Sequence, residues 1–267
     1  MDSTFVLLFL FGAVVAAANI IGGMILFPTS IRTNYKHSLK YLLALGAGFM
    51  LAVTFFEIIP NSIRLWFVPG DSSPDWLFTP MLLLVIGYLL TQFFEHTVAP
   101  HIHLGEELHS DELISTRSAY AGVGGLSMHT FFDGVSIAAA SLIDVRIGSL
   151  VFLAVFLHKF PEGFTIGSML VAAGKGRREV VMATAFIGSM TILGILVFYL
   201  IGSRFESSVA YALPLASGVT LYVAASDLIP EVNHHGGKRP LVSLSVFGGV
   251  ALFFAIHFLI ELLGVHR

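Results

Sequence analysis

Two short stretches, each set deep in apolar sequence, repeat one arrangement of histidine, carboxylate and glycine. His129 and Asp133 form the first pair, His158 and Glu162 form the second pair further along the chain, and a glycine follows each acid. Because side chains four residues apart share one face of a helix, each pair presents an imidazole beside a carboxylate. Both groups suit divalent transition metal ions. The two pairs together predict a four-ligand metal site. The alternative is a set of polar residues that satisfy one another in a helical core.

The composition indicates the kind of protein that must position these side chains. Of the 267 residues, 56% are hydrophobic and 12% are charged, whereas soluble domains carry about 25% charge. Apolar runs of about 20 residues match the hydrocarbon core of a bilayer. We therefore expect an all-α integral membrane protein, with residues 1–267 forming a single transmembrane domain. The net charge of −3 and the lack of a basic patch give no indication of nucleic acid binding. The sequence contains no cysteine, which excludes disulfides and thiolate metal ligands.

The apolar runs predict eight transmembrane helices. The first run, 5–27, is too long for the apolar region of a signal peptide, which is roughly 7–15 residues, so it is interpreted as a spanning helix. The predicted spans are 4–27, 39–60, 77–98, 117–142, 147–173, 178–202, 209–231 and 240–263.

The connecting loops differ in charge on the two sides of the predicted bundle. Nine lysines and arginines fall at loops 1–2, 3–4, 5–6 and 7–8, and four fall on the other side. Cytoplasmic loops carry an excess of these residues. The distribution predicts that both termini lie outside the cytoplasm, as an even number of spans allows.

The second and seventh spans resemble each other. Segments 48–60 and 218–230 share a glycine, an acid and a proline at matching positions. Glu57 corresponds to Asp227, and the glycines and the prolines are separated by the same number of residues as these two acids. An odd number of crossings separates these spans, so they run in opposite directions. Together with the pairing of spans four and five, this predicts inverted repeats, helices 1–3 against helices 6–8 and helix 4 against helix 5. Inverted repeats around a polar site near the membrane midplane are typical of transporters.

The two polar motifs also resemble those of a known family. The His-x-x-Pro-Glu-Gly stretch at 158–163 and the His-x-x-x-acid-Gly stretch at 129–134 are similar to the fifth and fourth helices of ZIP divalent metal transporters. The resemblance covers essentially the whole chain. It implies inward transport of zinc, with iron, manganese and cadmium as further substrates, through a site between helices 4 and 5. It also implies a homodimer and an elevator-like movement of one helix group. The metal is then the transported substrate and not a cofactor, and the protein is not an enzyme.

The resemblance assigns the primary metal site to His129, Asp133, His158 and Glu162. Met50 in the second span corresponds to a methionine ligand of some family members. The alternative for Met50 is ordinary packing in the core.

Three positions depart from the pattern of many family members. Thr130, Lys159 and Thr191 stand where other members have groups that complete a second metal site. We therefore expect a single bound ion, with the ammonium of Lys159 in the place of a second one. A lysine at this depth must face the interior and have a partner, because lipid exposure costs roughly 3 kcal/mol or more. The alternative is a lysine that faces a water-filled pore without a role in coordination.

Other polar residues are candidates for the ends of a transport route. Glu57 is predicted at the outer entrance, and four residues are predicted at the inner exit: Asp227, Glu231, His234 and His235. In their structural alternative, the acids cap helices or hydrate the interface. Glu95, His96 and His257 are weaker candidates, since a lone histidine in a membrane is more often a hydrogen-bonded packing residue.

The loop between the third and fourth spans, 99–116, is predicted to be cytoplasmic and is rich in acids and histidines. It could bind a divalent ion loosely through His101, His103 and His109. A solvated acidic loop without metal is the alternative.

Two functions other than transport fit four His and acid ligands. An intramembrane zinc hydrolase would activate a water molecule on the metal, and a sensor would bind the metal without moving it. A hydrolase site would have an asymmetric ligand set, with an open coordination position beside an extra acid or base. The ligands here form a symmetric pair and the sequence contains no His-Glu-x-x-His, so transport is favoured. The lack of cysteine and the compact loops favour a prokaryotic protein of the cell (inner) membrane.

Overall fold

A computed structural model describes residues 3–27, 29–67, 74–97, 116–202, 204–205, 207–236 and 239–262. Within these ranges the chain is helical and contains no strand. Eight of the helices are long and apolar enough to cross a membrane. The predicted all-α membrane class and the number of spans are confirmed.

We label the eight long helices α1 to α8 in chain order. Helices α2 and α7 each contain a π-helical turn, in α2 at Thr54–Ile58 between Thr29–Val53 and Ile59–Arg64, and in α7 at Val223–Leu228 between Ser207–Tyr222 and Ile229–Gly236. A short 3₁₀ turn, Pro74–Leu77, precedes α3. The remaining helices are α1 Ser3–Met24, α3 Phe78–Thr97, α4 Thr116–Ile143, α5 Val145–Ala172, α6 Arg177–Gly202 and α8 Pro240–Leu262.

Helix α2 is longer than the membrane span that it contains, whose start at Lys40 agrees with the predicted start at residue 39. Its apolar part is Lys40–Arg64, and the helix continues on the N-terminal side of that part to Thr29. Hydropathy marks only the segment that crosses the bilayer, whereas a helix can continue into water because its backbone hydrogen bonds are internal.

The helices form a bundle of four with two flanking pairs. Helix α1 packs against α5 and α6, and α4 packs against α5 and α6. The flanking pairs are α2 with α8 and α3 with α7, and they contact the bundle mainly where α2 meets α5 and α7 meets α4. Helices α3 and α8 are the least buried of the eight spans, and large apolar side chains such as Phe247 and Leu262 are exposed on α8. These faces suit contact with lipid.

A one-residue connection between α4 and α5 determines how the two polar motifs are aligned along the helix axes. The Asp144 carboxylate accepts a hydrogen bond from the Arg146 backbone N–H at 2.7 Å and so caps α5. His129 lies almost as far before Asp144 in the sequence as His158 lies after it. At a rise of about 1.5 Å per residue, both histidines are about 21–23 Å from the turn along their helices. The tight antiparallel turn therefore places the two histidines side by side.

The π-helical turns of α2 and α7 occur at matching places in the repeated segments. Glu57 lies within the first and Asp227 within the second, and Pro60 and Pro230 follow shortly after each. A proline supplies no backbone N–H to the preceding turn and clashes with it, which favours a locally wider helix. The repeat in the sequence indicated the acids and the prolines but not the π-helical turns.

Candidate metal site

Four side chains from α4 and α5 converge inside the bundle. Each of His129, Asp133, His158 and Glu162 has a ligand atom within 4.8 Å of one from every other member, and all four residues are buried. Two imidazoles and two carboxylates at this spacing can hold one divalent transition metal ion.

Each histidine contacts the carboxylate of the opposite helix. His129 Nε2 lies 3.1 Å from Glu162 Oε2, and His158 Nε2 lies 3.3 Å from Asp133 Oδ2. Within α5 the distance from His158 Nε2 to Glu162 Oε2 is longer, 3.9 Å. The four residues therefore have an interleaved arrangement, in which the ligand atoms of each four-residue pair also lie within 4.8 Å of each other. It arises because the antiparallel turn places the histidines level and the two acids on opposite sides of them.

The hydrogen bond at the far side of the His158 ring determines which nitrogen faces the site. Nδ1 lies 3.1 Å from the Ala154 backbone carbonyl, which can only accept, so Nδ1 carries the proton. In the neutral ring, Nε2 then directs its lone pair toward the carboxylate of Asp133. Two electron-pair donors facing each other favour a cation between them.

Lys159 is fully buried beside these ligands. Its ammonium lies 2.8 Å from Asp133 Oδ2 and contacts Glu162 Oε2 closely. It also donates to the hydroxyl of Thr130 at 3.1 Å. The lysine thus faces the interior and has partners, as the cost of exposing it to lipid requires.

The other predicted members of the site lie in different surroundings. Thr130 donates to Glu162 Oε1 at 3.2 Å. Thr191 on α6 is fully buried, and within the described ranges its hydroxyl has no hydrogen-bond partner. Met50 on α2 is fully buried within the main hydrophobic cluster.

The sequence analysis did not identify Asn19, and it did not connect Glu95 with His129. The Asn19 side-chain amide on α1 donates to Glu162 Oε1 at 2.7 Å. Glu95 Oε1 on α3 lies 3.2 Å from His129 Nδ1, on the side of the ring away from the site. The available signal was a polar side chain within an apolar span, because burying such a group is costly unless it has a partner.

The flanking pairs hold two further acids, Glu57 and Asp227, each with polar partners. Glu57 Oε1 on α2 lies 2.7 Å from His257 Nδ1 on α8, so His257 has a polar partner within the membrane, as expected of a hydrogen-bonded packing residue. Asp227 on α7 interacts with Glu95 and Glu231. The side chains of His234 and His235 lie outside the described part of the structure. So do His101, His103, His109 and nearly all of the loop 99–116.

The chain is similar to known zinc transporters. A family model described as ZIP zinc transporter matches residues 101–257, more than half of the chain. Zinc transporter ZIP9 of Micropogonias undulatus is 29% identical over 161 residues, which are 57% of this chain and 51% of the relative. Zinc transporter ZIP6 of Pongo abelii is 30% identical over 172 residues, 61% of this chain and 23% of the relative.

Zinc transporter ZIP10 of Homo sapiens is 26% identical over 147 residues, 54% of this chain and 17% of the relative. The matched part of the chain thus spans about half the length of ZIP9 and less of the other two. The matched region of the family model contains all four converging ligands, from His129 to Glu162. The chain belongs to the ZIP zinc transporter family.

Proposed function

We propose that the protein carries a divalent transition metal ion, zinc most readily, into the cytoplasm through the site between α4 and α5. The observation that carries this proposal is the buried convergence of His129, Asp133, His158 and Glu162 within 4.8 Å. Iron, manganese and cadmium are further substrates on this view. The ion is the cargo of a transporter and not the cofactor of an enzyme.

Within the proposal, Lys159 takes the place of a second metal ion. Its ammonium contacts one oxygen of each site carboxylate, Asp133 Oδ2 and Glu162 Oε2. A fixed positive charge between the two keeps them ionised and close together while no ion is bound. Thr130 supports this arrangement by accepting from the lysine and donating to Glu162. Met50 remains a candidate fifth ligand.

The route of the ion follows acids on both sides of the site. Glu57 with His257 lies toward the ends of α2 and α8, on the proposed outer side. Toward the proposed inner side, the contact of His129 with Glu95 continues to Asp227 and Glu231. We assign the first set to the entrance and the second to the exit. His234, His235 and the three loop histidines belong to the exit side by their positions in the sequence.

Packing between helices supports the inverted repeat. A Cβ atom on Gly48 of α2 would lie 1.9 Å from the Val246 carbonyl oxygen of α8. A Cβ atom on Gly218 of α7 would lie 1.9 Å from the Leu84 carbonyl oxygen of α3. Each flanking pair thus contains the same kind of close contact between a glycine and a backbone carbonyl. This is what inversion of α2 onto α7 and of α8 onto α3 requires. Two equivalent packings of this kind allow a site to open alternately to either side.

The charge of the loops supports an orientation with both termini outside the cytoplasm. We further propose that the protein is a multi-pass protein of a prokaryotic cell (inner) membrane, that it forms a homodimer, and that one helix group moves past the other during transport. The bundle of α1, α4, α5 and α6 holds the four converging ligands and is the natural moving unit.

The test is metal uptake by purified protein in liposomes, with zinc, iron, manganese and cadmium offered separately. We expect saturable uptake of zinc by the unmodified protein and loss of uptake in His158→Ala and Glu162→Ala. Thr184→Val on α6 is a matched control, because its hydroxyl bonds only to the Val180 and Val181 carbonyls of its own helix in the described contacts.

A folded protein that binds zinc but carries no ion would contradict transport. Release of product from a lipid amide or peptide would then support a hydrolase, and neither uptake nor hydrolysis would support a sensor. Uptake that persists in both ligand variants would remove the site between α4 and α5 from the proposal.

A further inference from the structure

The two carboxylates of the metal site differ in how they are held. We infer that Asn19 on α1 is a positioning residue that makes Glu162 bind the ion through one oxygen and so favours zinc over ions of higher coordination number. The inference rests on the proposed function, because it concerns the selectivity of the same site.

The two oxygens of Glu162 have separate sets of partners. Oε1 accepts from the Asn19 amide at 2.7 Å and from the Thr130 hydroxyl at 3.2 Å. Oε2 faces the site, where it contacts His129 Nε2 at 3.1 Å and the ammonium of Lys159. An ion that displaces the contacts at Oε2 leaves Oε1 occupied by its two donors. The carboxylate therefore presents one oxygen to the metal and holds the other away from it.

The backbone fixes Asn19 in place relative to Glu162. A Cβ atom on Gly163 would lie 2.0 Å from the Asn19 carbonyl oxygen, and one on Gly22 would lie 2.3 Å from the Phe160 carbonyl oxygen. Only glycine at both positions permits α1 and α5 to approach so closely. The donor on α1 and the acceptor on α5 belong to one rigid pair of helices, so their hydrogen bond persists when the bundle moves.

The equivalent position at the other carboxylate lacks this donor. A Cβ atom on Gly134 would lie 2.1 Å from the Thr191 carbonyl oxygen, so Thr191 of α6 lies behind Asp133 as Asn19 lies behind Glu162. Among the described residues, neither the Thr191 hydroxyl nor Asp133 Oδ1 has a hydrogen-bond partner. Asp133 thus keeps a free oxygen, whereas every oxygen of Glu162 is engaged.

A restrained Glu162 limits the number of ligand atoms in the site. Zinc is usually four-coordinate in protein sites, with nitrogen and oxygen ligands at roughly 2.0–2.2 Å. Manganese favours more oxygen ligands in octahedral geometry, and larger ions often bind a carboxylate through both oxygens. Two histidines, one oxygen of Glu162 and one oxygen of Asp133 make four ligands, to which the free oxygen of Asp133 can add at most one. Release of Glu162 Oε1 would supply a further oxygen ligand and relax the preference for zinc.

The experiment is a titration of purified protein with zinc alone and with manganese alone, in the unmodified protein, Asn19→Leu and Thr184→Val. Leucine keeps the branching and the number of side-chain heavy atoms of asparagine but donates no hydrogen bond. We expect Asn19→Leu to weaken zinc binding by about tenfold, the usual lower range for loss of an outer partner of a ligand. Manganese binding should weaken less or improve, so the zinc-to-manganese affinity ratio falls. The Thr184→Val ratio should equal that of the unmodified protein.

Thr130→Val provides a second test that does not depend on α1, because it frees Glu162 Oε1 from its other donor. Its affinity ratio should fall in the same direction, and the double variant should show less than the sum of the two effects, since both act on one oxygen. The inference would be overturned by an unchanged affinity ratio in Asn19→Leu. It would also be overturned if the binding of both ions weakened equally and the melting temperature fell. In either case, zinc binding by the unmodified protein would still support the site. No zinc binding by the folded unmodified protein would overturn the proposed function and this inference with it.

Discussion

At the scale of single residues, the charges around the metal site involve more than its four proposed ligands. Asp133 and Glu162 balance a divalent ion, but Lys159 adds a positive charge within the same cluster. Glu95 lies 3.2 Å from the far side of the His129 ring and supplies a third carboxylate. Three negative charges then oppose the lysine and the ion together. A buried cluster with balanced charge avoids the large desolvation cost of an unpaired ion.

The first prediction concerns Lys159. Replacement of Lys159 by alanine should lower zinc affinity and uptake, because the two carboxylates then repel each other in the ion-free site. The number of bound ions should remain one per chain, since no ligand is gained. Metal analysis of purified, dialysed protein measures both the stoichiometry and the loss. Two ions per chain in the unmodified protein would show that the ammonium does not occupy the place of a second metal.

The second prediction concerns Glu95. Glu95→Gln keeps the shape of the side chain but removes its charge and weakens its hold on the His129 ring. Zinc affinity should fall about 10- to 100-fold, as it does when the outer partner of a metal-binding histidine is changed. Glu261→Gln on the exposed part of α8 removes the same charge and serves as the control. Equal zinc affinity in both variants would assign Glu95 to the exit route alone.

At the scale of helices, the site depends on close packing of backbone against backbone. The one-residue turn at Asp144 sets α4 beside α5, and glycines allow α1 and α6 to approach these helices from outside. Glycines likewise allow α2 to approach α8 and α3 to approach α7. Small residues permit such contacts in membranes, where dispersion and not the hydrophobic effect holds the helices together.

The third prediction uses two adjacent glycines of α8. A Cβ atom on Gly249 would lie 2.1 Å from the Leu45 carbonyl oxygen of α2, whereas a Cβ atom on Gly248 would meet no atom within 4 Å. Gly249→Ala should therefore destabilise the α2–α8 pair by roughly 1–3 kcal/mol, the usual cost of overpacking. Gly248→Ala should leave stability nearly unchanged. Thermal unfolding in detergent measures the difference, and equal melting temperatures would contradict the close contact of α2 with α8.

At the scale of the whole molecule, the contacts divide the chain into a bundle of α1, α4, α5 and α6 and two flanking pairs. The proposed ligands lie in the bundle, whereas Glu95 belongs to a flanking helix. The contact of His129 with Glu95 therefore crosses the boundary between the two groups. If the bundle moves during transport, this contact must break and form again in each cycle.

The fourth prediction concerns the orientation of the molecule in the membrane. The sequence contains no cysteine, so single cysteines can be introduced without background. Ser207 lies at the start of α7 on the proposed outer side, and Gly176 lies before α6 on the proposed inner side. Both positions are exposed, and the two variants are Ser207→Cys and Gly176→Cys. A membrane-impermeant maleimide added to intact cells should label only the first. Labelling of only the second would reverse the orientation and the direction of transport.

The sequence by itself determined the class, the number of spans and the residues that could bind metal. These features are local, because apolar length marks a span and a spacing of four places His129 with Asp133 on one face. The second span, predicted from residue 39, agrees with the apolar part of α2 at Lys40–Arg64, although the helix itself begins at Thr29. Hydropathy does not mark this extension, because polar sequence outside the bilayer carries no hydropathy signal although the helix continues through it.

The tertiary structure decided how the ligands pair and which neighbours hold them. The antiparallel turn interleaves the histidines with the acids of the opposite helix, so the nearest partners are not those four residues away. Asn19, Glu95 and the pairing of Glu57 with His257 became evident only when α1, α3 and α8 were in position. The physical reason is that these contacts join residues distant in the chain, and they depend on helix packing that no local pattern encodes.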